Sequence, residues 1–321
     1  MMTLQRTKEL IRSLDPVAVW PEMAEMIDRF DPHGTLGVWE YPLAACTAVG
    51  GPDNSATAGC AAILCSLISI HLLDDMLDED PGGIQHRLGE GRTANLAMAF
   101  QAAGHQVLDD DRLAPHTRAA VHLALARMTL ATACGQNLDM RVIADEDQYW
   151  GVVEAKTSPL FSAAFSIGSL LGGASPATAQ HLAGLGGLLG RCVQVSDDLL
   201  DALRTPAAAD WGSRRSNNLA ILYAMTAEHA EKKEFLELSK HAEDPTALAS
   251  AQEILVRSGA LSYCVFKMVG FLGQAGRLLA GLSLPAPESV ARLFEAHAKP
   301  IHHLFAAAGV PAGLSDSFLR S

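Results

Sequence analysis

A chain of 321 residues with 49% hydrophobic and 19% charged side chains has material for a sizeable buried core, in one large domain or two ordinary ones. Its formal charge of -12, with no Lys/Arg-rich block, argues against a nucleic-acid surface and against docking on an anionic membrane, and makes cations the expected partners. Six cysteines (Cys46, Cys60, Cys65, Cys134, Cys192, Cys264) form no CxxC pair and mostly sit among Ala, Leu and Val, the pattern of reduced, buried thiols in a cytoplasmic protein.

In chain order, the N-terminal "MMTLQRTKELIRSLDPVAVW" lacks the apolar core of an export signal. Apolar residues then recur at three- and four-residue spacing, while no alternating strand with an Asn-Gly turn is visible. The spacing predicts helices over 3–13, 17–30, 54–79, 90–109, 115–143, 146–173, 177–204, 217–241, 246–281 and 286–309. Between them fall "DPHG", "GGPDNS", "DPGG", "ASPAT", "RTPAAADWGS", "EDPT" and "LPAPE", none long or polar enough for a linker. The expected fold is therefore all-α, a single domain over 1–321 built as a bundle of about ten or more helices around a central apolar cavity. From Thr157 to Gly190 only His181 could carry charge, a length that permits a membrane span. Its Ser, Gly, Ala and Thr content, with Pro159 and Pro176, predicts two buried helices and no span.

Two predicted helices end in the same acidic pattern. The first reads Asp74-Asp75-Met76-Leu77-Asp78 and the second Asp197-Asp198-Leu199-Leu200-Asp201, both D-D-x-x-D. On a helix, residues four apart lie about 6 Å apart along one face, so Asp74 points with Asp78 and Asp197 with Asp201. Like charges at that spacing beside apolar residues repel and are poorly solvated, which calls for a compensating cation. Carboxylate oxygens suit Mg²⁺, which takes one or two of them and completes its shell with water and substrate phosphates. A solvated acidic helix end is the alternative for either cluster taken alone.

With these motifs the chain resembles the trans-prenyl diphosphate synthases, the polyprenyl synthetase family. "GQNLD" at Gly135–Asp139 looks like the family's G-Q-x-x-D, "KTSPLF" at Lys156 like its Lys-Thr motif, and Gln194 precedes the second cluster as the family's glutamine does. The resemblance covers roughly residues 55 to 230 and implies an isoprenoid-synthase-type fold. It implies three Mg²⁺ ions bound by Asp74, Asp75, Asp78, Asp197, Asp198 and Asp201, on helices that face each other across a prenyl diphosphate. It also implies Lys156 on the diphosphate and, by analogy, a homodimer. Read from the residues alone, the less favoured alternative is that Lys156 is a snorkelling helix side chain and that Gln136 and Gln194 are helix polar contacts.

The chain departs from the family in its basic motifs. Members that use isopentenyl diphosphate carry G-G-K-R before the first cluster and R-R-G after it. Here "PHGTLGVWEYPLAACTAVGGPDNS" has no Lys or Arg, and "EDPGGIQHRLGEGR" offers only Arg87 and Arg92. The family's lid lysines are replaced by "ADWGSRRSNNLAIL", where Arg214 and Arg215 either close over the leaving diphosphate or form an exposed basic loop. Arg191, inside an apolar helix, is a further candidate for the diphosphate, since a buried unpaired Arg is costly.

The chemistry that remains is ionisation of an allylic diphosphate to a carbocation in a dry pocket. Ile70 and Ser69, one turn before Asp74, are not the bulky aromatics that shorten products in the family, which resembles enzymes for chains of about fifteen to twenty carbons or more. Met76, Leu77, Met98, Phe161 and Phe165 are candidate pocket residues or plain core. The leading expectation is cyclisation or transfer to a non-isopentenyl acceptor. The alternatives are head-to-tail elongation with isopentenyl diphosphate and a non-catalytic partner subunit. Asp75→Ala or Asp198→Ala is expected to abolish diphosphate release with the fold intact.

Overall fold

The computed structural model describes residues 2–29, 37–211 and 217–307, with the side chains of 4–29, 37–211 and 217–299. Among the described residues every regular element is a helix. In chain order these are α1 (Met2–Arg12), α2 (Asp15–Ala18), α3 (Pro21–Arg29), α4 (Tyr41–Ala48), α5 (Thr57–Leu77), α6 (Gln85–Leu88), α7 (Glu90–Gln106) and α8 (Pro115–Asp139). They continue as α9 (Glu146–Lys156), α10 (Ser158–Leu171), α11 (Pro176–Ala202), α12 (Leu219–Thr226), α13 (Lys232–Leu238), α14 (Pro245–Arg257), α15 (Ala260–Ala280) and α16 (Glu288–Ala307).

Four of the expected helices are broken in the structure. The segment expected over 17–30 is α2 and α3, divided where Pro21 lacks a donor and biases Trp20 away from the helical region. The segment over 146–173 breaks at Thr157, with Pro159 in the first turn of α10. The segment over 246–281 becomes α14 and α15, bent by 54°, because Gly259 takes the left-handed φ of +85° that only glycine adopts cheaply. The fourth, over 217–241, divides into α12 and α13 with no local breaker to account for it. Helix α4 was not expected, since "YPLAACTA" is apolar on every side and has no period to read.

By backbone proximity the chain divides into two compact units. Unit 1 comprises Met1–Leu130, Leu160–Gly186 and Leu282–Val290; unit 2 comprises Ala131–Pro159, Gly187–Gly281 and Ala291–Ser321. In unit 1 the axis is α5, buried without interruption from Gly59 to Ser69 and again at Leu72, with α7 and α1 packed against it. It is apolar enough to cross a membrane by length and composition, yet 72% of its apolar window is buried inside the protein, as in a soluble core helix. The Thr157–Gly190 stretch is not one span but parts of α10 and α11 around a turn. Tyr41 packs on Phe161 and Phe165 at 5.8 Å between ring centroids, which makes both phenylalanines core. Met98, a candidate pocket residue, is 65% exposed.

In unit 2, α15 packs against α12 and α14. Glu146 at the start of α9 accepts hydrogen bonds from Tyr263, Trp150 and Lys267, fastening α9 to α15. All six cysteines are free thiols, five of them buried, with Cys134 exposed.

Because Leu64 is fully buried at the centre of α5, Leu64→Ala should destabilise the protein by about 2–5 kcal/mol, read as a lower urea midpoint with an unchanged slope.

Candidate active site

The first acidic cluster lies in unit 1 at the C-terminal end of α5. Asp74 and Asp75 occupy its last turn and are half-buried, whereas Asp78 is its exposed capping residue with φ -91° and ψ -3°. The helix therefore ends two residues before its expected limit, and Asp78 keeps its place relative to Asp74 through its N–H, which donates to the Asp74 carbonyl at 2.8 Å. Burial, then the charges of Asp80 and Asp74, push the Asp75 carboxyl above its ordinary range, with His71 opposing. The negative end of the helix dipole adds to the same disfavour. One turn earlier, Ile70 is half-buried and Ser69 fully buried, its hydroxyl without a protein partner.

The second cluster lies in unit 2 on the last turns of α11. Asp197 and Asp201 are half-buried, and burial followed by the Asp201 charge pushes the Asp197 carboxyl up to about 6. Asp198 is different in kind. It is 2% exposed and accepts hydrogen bonds from Tyr149 Oη at 2.6 Å, the Leu219 N–H at 2.7 Å and Gln194 Nε2 at 2.9 Å. Burial outweighs these three donors and raises its carboxyl to about 7. With its oxygens already engaged, Asp198 is placed to hold α9, α11 and α12 together rather than to reach outward.

The motif residues of unit 2 converge on this hub. Gln194, which donates to Asp198, accepts from Thr157 Oγ1 at 2.6 Å, so the Lys-Thr motif and the second cluster share one chain of hydrogen bonds. Lys156 Nζ pairs with Asp139 Oδ2 at 2.5 Å, joining the end of α9 to the end of α8. Gly135 permits that pairing: a Cβ there would lie 2.2 Å from the Lys156 backbone nitrogen, so only glycine lets α8 and α9 approach so closely. Gln136 is half-buried one turn before Asp139.

Four further residues of the site carry little signal in the sequence. Tyr149, on α9, carried no signal that it would meet Asp198. Asp139 ends the "GQNLD" motif, and nothing in that spacing indicates that it pairs with Lys156. Asp210 is half-buried, its carboxyl raised first by burial and then by Asp201 and Asp139, with Asn218 and Lys156 opposing. Asn218 caps α12 with its side-chain oxygen and donates to Asp210 Oδ2 and the Asp198 carbonyl. An Asn immediately before an apolar run is the one signal that was available.

The candidate cations are mostly committed elsewhere. Arg191 pairs with Glu154 at 2.7 Å and lies 5.6 Å from the Phe271 ring centroid, so it is not unpaired, although its buried Nε makes no hydrogen bond. Arg87 pairs with Glu25 and Arg92 with Glu22. Arg214 and Arg215 lie outside the described residues. In the segment upstream of the first cluster, which has no Lys or Arg, Val38, Trp39 and Tyr41 are buried.

Among the described residues no group of three or more His, Cys, Asp or Glu side chains forms a ready metal cage. Magnesium does not require one: it takes one or two carboxylates, with water and phosphate oxygens completing its octahedron. Half-buried Asp197 beside Asp201, with a carboxyl raised by burial and then by that neighbour's charge, fits such an ion, which would relieve the repulsion.

A family model described as polyprenyl synthetase matches residues 43–255. A short chain isoprenyl diphosphate synthase of Methanothermobacter thermautotrophicus is 27% identical over 236 residues, covering 69% of this chain and 72% of the relative. A geranylfarnesyl diphosphate synthase of Natronomonas pharaonis is 33% identical over 178 residues, 52% of this chain and 50% of the relative, so there the match spans about half the relative's length. In three dimensions, a polyprenyl synthase from Caulobacter crescentus, solved with calcium and isoprenyl diphosphate, aligns with a TM-score of 0.76 at 20% identity, over 92% of each chain. That alignment shows the shared all-α fold.

Two expectations follow from the carboxylates. Burial and the Asp201 charge push the Asp197 carboxyl in the folded protein up to about 6, above its ordinary value of 3.8. The folded protein therefore binds this proton more tightly, and metal-free stability falls as pH rises through that window. Asp197→Asn should stabilise the metal-free protein by about 1–3 kcal/mol at pH 8 and by almost nothing at pH 4, measured by urea unfolding. Asp198→Ala, in contrast, strands the Tyr149 hydroxyl and the Leu219 N–H inside the protein. It should cost about 2–4 kcal/mol of stability, a correction to the expectation that the fold would be untouched.

Proposed function

The chain belongs to the polyprenyl synthetase family, and from that premise we propose that it is a magnesium-dependent transferase acting on allylic prenyl diphosphates of about C15–C20. The observation that carries this reading is the half-buried Asp197–Asp201 pair, built on the same hydrogen-bonded hub that carries the Lys-Thr motif. When bound, magnesium supplies positive charge to the departing diphosphate. Each acidic cluster, taken by itself, has carboxylate oxygens suited to such an ion: Asp74, Asp75 and Asp78 at the end of α5, and Asp197 and Asp201 at the end of α11. Asp198 keeps the end of α11 in register. Lys156, steadied by Asp139, presents its ammonium to the diphosphate, and Gln136 and Gln194 lend polar contacts. Three ions per diphosphate, a single catalytic domain over 1–321 and a cytoplasmic homodimer are the count, organisation and assembly that accompany this reading. Ser69 and Ile70 bear on chain length.

For the fate of the cation, head-to-tail elongation with isopentenyl diphosphate is the better supported course. The relatives quoted above are diphosphate synthases by name, and neither cyclisation nor another acceptor finds support among them. One observation keeps the second reading in play. The segment that would carry the upstream basic motif is occupied by buried Val38, Trp39 and Tyr41, and the two arginines after the first cluster are paired with Glu25 and Glu22. A second diphosphate needs preorganised cationic donors.

The test is incubation with Mg²⁺ and geranyl, farnesyl or geranylgeranyl diphosphate, each with and without isopentenyl diphosphate. Elongation predicts longer diphosphates only when isopentenyl diphosphate is present. A hydrocarbon or alcohol from one diphosphate alone supports the second reading. No diphosphate release under any condition would sink both and leave a non-catalytic subunit. EDTA should abolish release and excess Mg²⁺ restore it.

A further inference from the structure

We infer that Gln85 is a positioning residue for the first acidic cluster, acting as a clamp that fixes how α5 ends and hence where Asp74, Asp75 and Asp78 present their oxygens. The inference rests on the proposed metal-dependent function and goes beyond it. A helix leaves its last carbonyls without intrahelical donors. At the end of α5 the chain reverses through Glu79, which takes a left-handed φ of +56°, a region where a residue with a side chain is strained. The reversal lets the Asp80 N–H reach back to the Asp75 carbonyl at 2.9 Å.

Gln85 closes the structure from outside. It is 8% exposed, and its Nε2 donates to the Asp75 carbonyl at 2.9 Å and to the Asp80 carbonyl at 3.1 Å, bridging the two sides of the reversal. The Asp75 carbonyl thus receives both the Asp80 N–H and the Gln85 amide. His86 Nε2 adds a bond to the Asp80 carbonyl at 2.9 Å, and Asp80 Oδ1 accepts the Gly82 N–H at 2.6 Å. The amide lies directly against Gly83, where a Cβ would sit 2.0 Å from Gln85 Oε1.

The clamp matters because Asp78 is not inside the helix. It is the capping residue, so its carboxylate is aimed by the reversal that follows as much as by the helical ladder before it. Without the amide, the Asp80 N–H is left to tie the strained reversal to the Asp75 carbonyl; the Asp78 N–H still holds the Asp78 backbone to the Asp74 carbonyl, but the reversal that aims the Asp78 carboxylate is less firmly fixed. Partners that orient ligating carboxylates commonly govern metal affinity by about tenfold or more.

Two variants of the full chain test this. Gln85→Leu keeps the volume and removes the donors; Gly83→Ala leaves Gln85 in the sequence and pushes its amide off the carbonyls. The readout is Mn²⁺ uptake in the presence of inorganic pyrophosphate, followed by the electron paramagnetic resonance of free Mn²⁺, with thermal unfolding as the check on folding. Both variants should remain cooperatively folded and need about tenfold more Mn²⁺ for half-saturation. Half-saturation within twofold of wild type in either folded variant overturns the clamp while leaving the proposed function standing. A wild type that takes up no Mn²⁺ overturns both. If Gln85→Leu does not fold, Gly83→Ala decides alone, since it asks only a flexible side chain to move; should that variant also fail to fold, the residue is a folding determinant and the positioning role is refuted.

Discussion

The buried carboxylate of Asp198 ties together the helices that bear the motifs of unit 2. It receives a hydroxyl from α9, an amide from α11 and a backbone N–H from the start of α12. Taking a carboxyl out of water is expensive, and the same burial that raises it to about 7 makes each of those donors worth more than it would be at the surface. Three helices are held to one point by that exchange. The neighbouring Asp197 and Asp201 inherit their placement from it, because residues one and three positions away on a helix cannot move independently of the hub.

Adjacent aspartates in one pattern therefore perform separate tasks. Asp198 is saturated by the protein, whereas Asp197 and Asp201 stay half-buried and repel each other. That repulsion is energy held ready for a cation. The first cluster reaches a similar state by another route, with carboxylates on the last turn and cap of α5, where the helix dipole is unfavourable and the strained reversal at Glu79 is fastened by Gln85. The basic residues are the scarcer resource: Arg87, Arg92 and Arg191 each meet a glutamate, and Lys156 meets Asp139.

Much of this was legible before any coordinates. The acidic patterns, the Lys-Thr pair, the glutamine ahead of the second cluster and the all-helical character all lie within a few residues of chain, where spacing alone carries the signal. The breaks at Pro21 and near Pro159 have a local cause in the prolines, but strong apolar periodicity on both sides masks them. Helix α4 and Tyr149 were not readable. An apolar run without period names no structure, and a tyrosine on α9 gives no sign of an aspartate 49 positions away.

By itself, then, the sequence determined the local quantities: which residues are helical, which carboxylates share a turn, and that their crowding calls for positive charge. Tertiary structure decided what each of those charges does. Whether an aspartate is saturated or available, and whether an arginine is paired or spare, depends on residues far away in the chain. Those contacts arise only when helices pack and water is excluded, a step that depends on the three-dimensional meeting of surfaces and has no counterpart in the spacing along the chain.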